Sequence, residues 1–197
     1  MINLEQGKVL IKLAKASISS YLSDDELKVE GYIKKDFSEV LGVFVTLNKD
    51  DELRGCIGFP EGVYPLYEGI SNAARSAAFG DPRFPPLDKG EFPNITVEVS
   101  VLTKPERIEV KNAEEYLKEI KVGRDGLIVR SKLGNGLLLP QVATEYEWDS
   151  KAFLEQTCIK AGLSADSWQD IKECKVYRFQ SQVFSELNPN GEVKQLI

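Results

Sequence analysis

Apolar residues recur at helical spacing near the start of the chain, where Leu10, Leu13, Ala14, Ile18, Tyr21 and Leu22 fall on one stripe. Asn3 followed three residues later by Gln6 has the form of a capping box, so the pattern predicts a long first helix. Residues 40–47 are rich in β-branched and aromatic types, and the polar run Asn48-Lys49-Asp50-Asp51-Glu52 separates them from a second such stretch at 53–59. That is the signature of a β-hairpin. Leu66, Ile70, Ala73, Ala74, Ala77 and Ala78 then give a narrow helical face of small residues suited to close packing on a sheet, with Pro65 at its expected first position and Gly80 as its stop. Three prolines make Asp81-Pro82-Arg83-Phe84-Pro85-Pro86-Leu87 an extended loop, because each fixes φ and removes a backbone donor. Ile95, Val97, Val99 and Val101 alternate with Thr96, Glu98 and Ser100, the mark of a strand with one face on the core. It is expected to join the hairpin's sheet.

Beyond Lys104-Pro105 the texture shifts to shorter elements: a helix near 113–120, then strands at 126–131 and 136–139 across Gly134-Asn135. This predicts a second, smaller unit. Asp149 or Ser150 is suited to cap a helix carrying Phe153, Leu154 and Cys158 that Gly162 ends, and Ser164 a short helix holding Trp168. Residues 176–184 return to strand character, and the tail after Asn188-Pro189-Asn190-Gly191 is expected to be loose.

Composition narrows the function classes. With 31 acidic and 25 basic residues the net charge is −6, which argues against nucleic acid or an anionic membrane as the main partner. No run approaches the ~18 apolar residues of a membrane span, and the first residues lack a signal-peptide pattern, so the expected location is cytoplasmic. Cys56, Cys158 and Cys174 are odd in number and widely spaced, suggesting neither a disulfide framework nor a metal knuckle. The chain contains no histidine. Nucleophile activation by imidazole is thereby removed, together with the commonest metal ligand, and neither a metal nor a cofactor is predicted.

The chemistry that remains concentrates in Leu53-Arg54-Gly55-Cys56-Ile57-Gly58. On a strand, Arg54 and Cys56 point to one face, roughly 6.5 Å apart, with Leu53 and Ile57 on the other. A guanidinium at that range lowers a thiol's pKa and holds an anion beside it, so Arg54 and Cys56 are the leading catalytic candidates. Gly55 and Gly58 permit close approach by a ligand or another backbone. The plainer reading keeps Cys56 as a small core residue and Arg54 as a carboxylate's partner. Glu98 lies on the polar face of its own strand and would stand beside the pair as a proton carrier if the two strands are neighbours; a cross-strand ion pair with Arg54 is the alternative. Asp81, Arg83 and Phe84 form a recognition candidate on a stiff surface loop, against the alternative of a rigid connector with an internal Asp81–Arg83 pair. No phosphate-binding glycine motif occurs.

The hexapeptide at 53–58 resembles the signature of the AMMECR domain family. So, in the same order, do Asp81-Pro82-Arg83-Phe84-Pro85-Pro86, Leu139-Pro140-Gln141-Val142-Ala143, Trp148-Asp149, Cys158-Ile159-Lys160-Ala161-Gly162-Leu163 and the segment 179–186. The resemblance implies an α+β fold of two domains, each with a small antiparallel sheet packed by helices, the smaller inserted into the larger: residues 1–110 plus 173–197, and residues 111–172. The family's activity is unsettled. Its hexapeptide has been proposed as catalytic or regulatory, and its prokaryotic members are associated with Memo-type and radical-SAM proteins, which makes a protein of that type an expected partner. Phe59 and Pro60 depart from relatives that carry a small hydroxylated residue after the hexapeptide. Two functional classes follow: a pocket around Arg54 and Cys56 that takes a small anionic or thiol-reactive ligand, or a non-enzymatic adaptor acting through a protein partner.

Overall fold

The computed structural model describes residues 2–196. The first helix, α1 (Leu4–Ser23), starts in the expected capping box, Asn3 accepting from the Gln6 amide while the Gln6 side chain accepts from Asn3. Its stripe buries Leu10, Leu13, Ala14 and Ile18, whereas Tyr21 is left about half exposed. A short helix, α2 (Gly31–Asp36), follows that the pattern did not announce, since it buries none of its own residues. The hairpin forms as β1 (Gly42–Lys49) and β2 (Glu52–Phe59). Its turn is tighter than the polar run suggested. Lys49 pairs with Glu52, and Asp50 and Asp51 both take positive φ (52° and 63°), the conformation that matches strand twist in a two-residue turn. Next comes α3 (Leu66–Phe79), with Pro65 as its extended N-cap rather than its first helical residue and Gly80 as its C-cap.

β3 (Ile95–Leu102) pairs antiparallel with β1, as expected of the alternating strand. The order β2-β1-β3 continues through β8 (Ser181–Glu186) to β9 (Val193–Gln195), making a five-stranded sheet with β2 at its edge. Val43, Val45, Leu47, Val97, Val99 and Ile95 turn one face of this sheet onto a core shared with α1 and α3. The terminal segment is not loose: β9 pairs with β8, and Val193 is buried because it closes that core.

The second sheet has the order β4-β7-β5-β6, from β4 (Glu106–Arg107), β5 (Gly126–Arg130), β6 (Asn135–Leu138) and β7 (Lys175–Phe179). Around it lie α4 (Tyr116–Glu119), α5 (Pro140–Glu145) and α6 (Ser150–Lys160). Asp149 caps α6 by accepting the Ala152 amide, and Gly162, at φ +75°, ends it. Trp168, Phe153, Leu154 and Cys158 fill a separate core. The stretch 176–184, which reads as one strand, is two strands serving different sheets. The chain accordingly clusters into one unit running through Leu102 and resuming at Gln182, and a second spanning Thr103–Ser181. These bounds differ from the expected 110 and 173 because β7 pairs with β5 and β4, so it belongs with the second sheet. No helix among the described residues is long and apolar enough to cross a membrane.

Candidate functional site

Cys56 sits in the edge strand β2 opposite Thr46 of β1, and Thr46 is in turn opposite Glu98 of β3. The three side chains form one row on the polar face of the first sheet, behind the valine face that meets the helices. β1 lies between β2 and β3, so the expectation that Glu98 would stand beside Arg54 and Cys56 is corrected. Two strand spacings put Glu98 about 10 Å from Cys56, one strand too far for a direct contact. Thr46, which the sequence reading passed over as one polar residue of an alternating strand, fills the gap: its hydroxyl donates to the Cys56 sulfur at 3.2 Å.

The Cys56 backbone explains why these side chains lie so close. Its N–H donates to Asp81 Oδ2 at 2.9 Å, and its carbonyl accepts from Arg83 Nη2 at 3.2 Å. Both groups therefore turn away from β1, which makes Cys56–Thr46 a non-hydrogen-bonded pair, the kind whose side chains approach most closely. The loop after α3 thus acts on β2 as a neighbouring strand would, and closes the sheet's open edge. Asp81 is buried and takes Arg83 through Nη2 at 2.7 Å and Nε at 3.0 Å. The Arg83 guanidinium, with the two backbone donors, holds the Asp81 carboxyl far below the usual carboxylate range. Asp81 and Arg83 are therefore the internal pair of the plainer reading, with an added duty toward Cys56.

Arg54 is also partnered, but by a residue no pattern announced. Glu91 receives its Nε at 2.8 Å and its Nη2 at 3.0 Å, and Nη2 reaches the Pro85 carbonyl at 2.9 Å. Glu91 takes Lys49 as well, at 3.1 Å, and the Arg54 guanidinium lowers its pKa more than Lys49 does. The Phe84 ring lies between two cations, 5.9 Å from the Arg54 guanidinium carbon and 5.5 Å from that of Arg83. Arg54 Nη1 is buried with no hydrogen-bond partner. Glu91 stands in the irregular stretch Gly90-Glu91-Phe92-Pro93, where only the fold could reveal its partner.

One further correction concerns the hexapeptide. The β1–β2 register slips between Leu47 and Asn48, a bulge that sets Leu53 opposite Asn48 and leaves it 42% exposed. Leu53 therefore anchors nothing, while Ile57 does pack against the core. Gly55 and Gly58 provide clearance for the protein itself. A Cβ at Gly55 would lie 2.2 Å from the Ala77 carbonyl oxygen of α3, and one at Gly58 would meet the Val43 carbonyl and the Phe44 ring.

Glu98 is partly buried, has no hydrogen-bond or ion-pair partner among the described residues, and has its pKa raised by desolvation. Among the described residues no cluster of three or more cysteine, aspartate or glutamate side chains is placed to hold a metal ion. Cys158 and Cys174 are free and buried in the second core.

Comparison with known proteins places this arrangement in a family. Protein MJ0810 of Methanocaldococcus jannaschii is 48% identical over 195 residues, covering 98% of this chain and 96% of its own length. Protein MK0488 of Methanopyrus kandleri is 49% identical, covering 98% and 95%. The crystal structure of the uncharacterised protein PH0010 from Pyrococcus horikoshii superposes with a TM-score of 0.88 at 47% identity, covering 98% of each chain. With the AMMECR1 family model matching residues 11–184, well over half its length, this chain belongs to the AMMECR1 family.

Proposed function

We propose that the polar face of the first sheet binds a small ligand over the row Cys56–Thr46–Glu98, with the Cys56 thiol as its reacting or recognising group. One observation carries this reading: a thiol already engaged by a hydroxyl faces, across a single strand, a partly desolvated carboxyl with no hydrogen-bond or ion-pair partner among the described residues. Partial desolvation disfavours the charged form of that carboxyl, and no neighbouring cation among the described residues offsets it. Desolvation raises its pKa, so a molecule lying along the row would meet a thiol at one end and a carboxyl able to exchange a proton at the other. Arg54, Asp81 and Arg83 are positioning residues, since their bonds to Glu91, Pro85 and the Cys56 backbone hold β2 and its covering loop, with the Phe84 ring packed near both guanidinium groups. Nuclear magnetic resonance of the labelled protein against a mixture of metabolites tests the proposal. Shifts centred on the Thr46, Cys56 and Glu98 amides are expected, and their absence from those residues would count against it.

The adaptor reading has its own support in Arg83, whose side chain is 53% exposed while its charge is fixed by Asp81, a rigid polar feature suited to a protein surface. A partner of the Memo or radical-SAM type, expected from the resemblance, belongs to this reading. Capture of such a partner by the wild type and its loss in Phe84→Ala, with the metabolite shifts absent, would favour it.

A further inference from the structure

We propose that the cavity between α1 and the β8–β9 hairpin is a binding site for a small organic anion with an apolar body, of the medium-chain carboxylate class. The cavity holds about 490 Å³, within the range of small-molecule sites. It is on the helix-covered side of the sheet and shares no residue with the Cys56 row.

Lys8, Lys12 and Lys15 line its wall, at spacings of four and three residues that set them on one stripe of α1. Lys15 is accounted for by the protein: its Nζ donates to both oxygens of Glu186, at 2.8 and 2.9 Å, and Glu186 also accepts the buried Val97 amide at 3.0 Å. The other two lysines are not accounted for in this way. Lys8 reaches Glu5 at 2.7 Å, but that carboxylate is 80% exposed, where an ion pair holds a cation weakly. Lys12 has no partner among the described residues. Two like charges one turn apart repel along a helix, so helix stability does not explain the pair.

The remaining lining supplies the second half of the argument. Ile11 and Val193 close the inner end of the cavity, and the methylene stems of Lys8, Lys12 and Lys15 add apolar surface along its wall. Once Lys15 and Glu186 cancel, Lys8 and Lys12 face one acidic group of the lining, Glu192 of the hairpin. The balance is cationic at the wall and apolar at the floor, in a chain whose net charge is −6. A carboxylate between Lys8 and Lys12 with a hydrocarbon body over Ile11 and Val193 satisfies both, and Lys12 then acts as its specific anchor.

Titration calorimetry of the full chain with octanoate, together with acetate and 1-octanol, separates charge from apolar body. Octanoate is expected to bind saturably in the micromolar to low-millimolar range, with acetate and octanol each at least tenfold weaker. Lys12→Glu, an exposed change that leaves the melting temperature as in wild type, is expected to weaken octanoate at least tenfold, as is Lys8→Glu. Amide shifts on binding should centre on Ile11 and Val193. No saturable binding of octanoate, octanol binding as tightly as octanoate, or both variants binding like wild type would overturn the proposal.

Discussion

Single residues around the proposed site divide into those that would form it and those that make room for it. Gly55 belongs to the second kind: with the Ala77 carbonyl oxygen 2.2 Å from where a Cβ would stand, α3 or β2 must move to admit one methyl group. Gly55→Ala is expected to lower stability by about 2–3 kcal/mol, the cost of overpacking a fixed backbone contact, read as a shift of the urea midpoint with unchanged slope. Glu98 belongs to the first kind. Its carboxyl titrates above its ordinary value because burial disfavours the charged form. A carboxyl whose folded pKa lies above its unfolded one contributes its stability at low pH and loses it as pH rises through the folded value. Glu98→Gln should therefore raise the melting temperature at pH 7 and leave it nearly unchanged at pH 4. A lower melting temperature at pH 7 would mean that the charge is structurally paired. At this scale the alternation of polar and apolar residues set Cys56 and Ile57 on opposite faces of β2, as the register and the packing of Ile57 have them, but did not show that Leu53 is exposed or that Arg54 is the extra residue of a bulge. A bulge breaks parity, and nothing in Asn48 or Leu53 announces it.

Elements add what residues cannot: an edge, and something to cover it. β2 ends the first sheet, and the loop after α3 meets its free N–H and C=O at Cys56 through one carboxylate and one guanidinium. Asp81→Ala leaves the Cys56 amide and Arg83 without their acceptor, a loss expected to cost about 2 kcal/mol at pH 7, less than a fully buried pair because Arg83 is half exposed. The pH sign is opposite to that of Glu98. The Asp81 carboxyl is held below its ordinary value, so its contribution is present above the unfolded pKa and is lost as pH falls toward the folded one. Urea midpoints of wild type and Asp81→Ala should thus converge as pH is lowered below about 4, and a constant difference would show that the charge is irrelevant. The prolines made the loop's stiffness legible in the sequence. Its docking was not, because the Asp81 and Arg83 contacts to Cys56 span 25 and 27 residues and leave no local pattern. The hairpin, α1 and α3 were legible because each rests on its own periodicity and caps, whereas the break inside 176–184 was hidden, since both halves are good strand sequence.

The described residues form two cores, one built on α1, α3 and the five-stranded sheet, the other on α6, Trp168 and the four-stranded sheet. Cores of this independence are expected to unfold separately, giving two calorimetric transitions, of which Leu10→Ala lowers one and Phe153→Ala the other; a single transition moved by both would contradict it. The same partition makes the central claim measurable. Of the three thiols in the chain, Cys158 and Cys174 are buried in the second core, so alkylation of the native protein reports Cys56. The most direct test is the pH profile of Cys56 alkylation by iodoacetamide, followed by mass spectrometry of the labelled peptide in wild type, Thr46→Val and Glu98→Gln. A working row predicts that ionisation of Glu98 adds a second inflection to the wild-type profile above the ordinary carboxylate range, that Glu98→Gln removes it, and that Thr46→Val changes the rate several-fold. Three superimposable profiles would show that the thiol is indifferent to its neighbours, and the proposed site would fall.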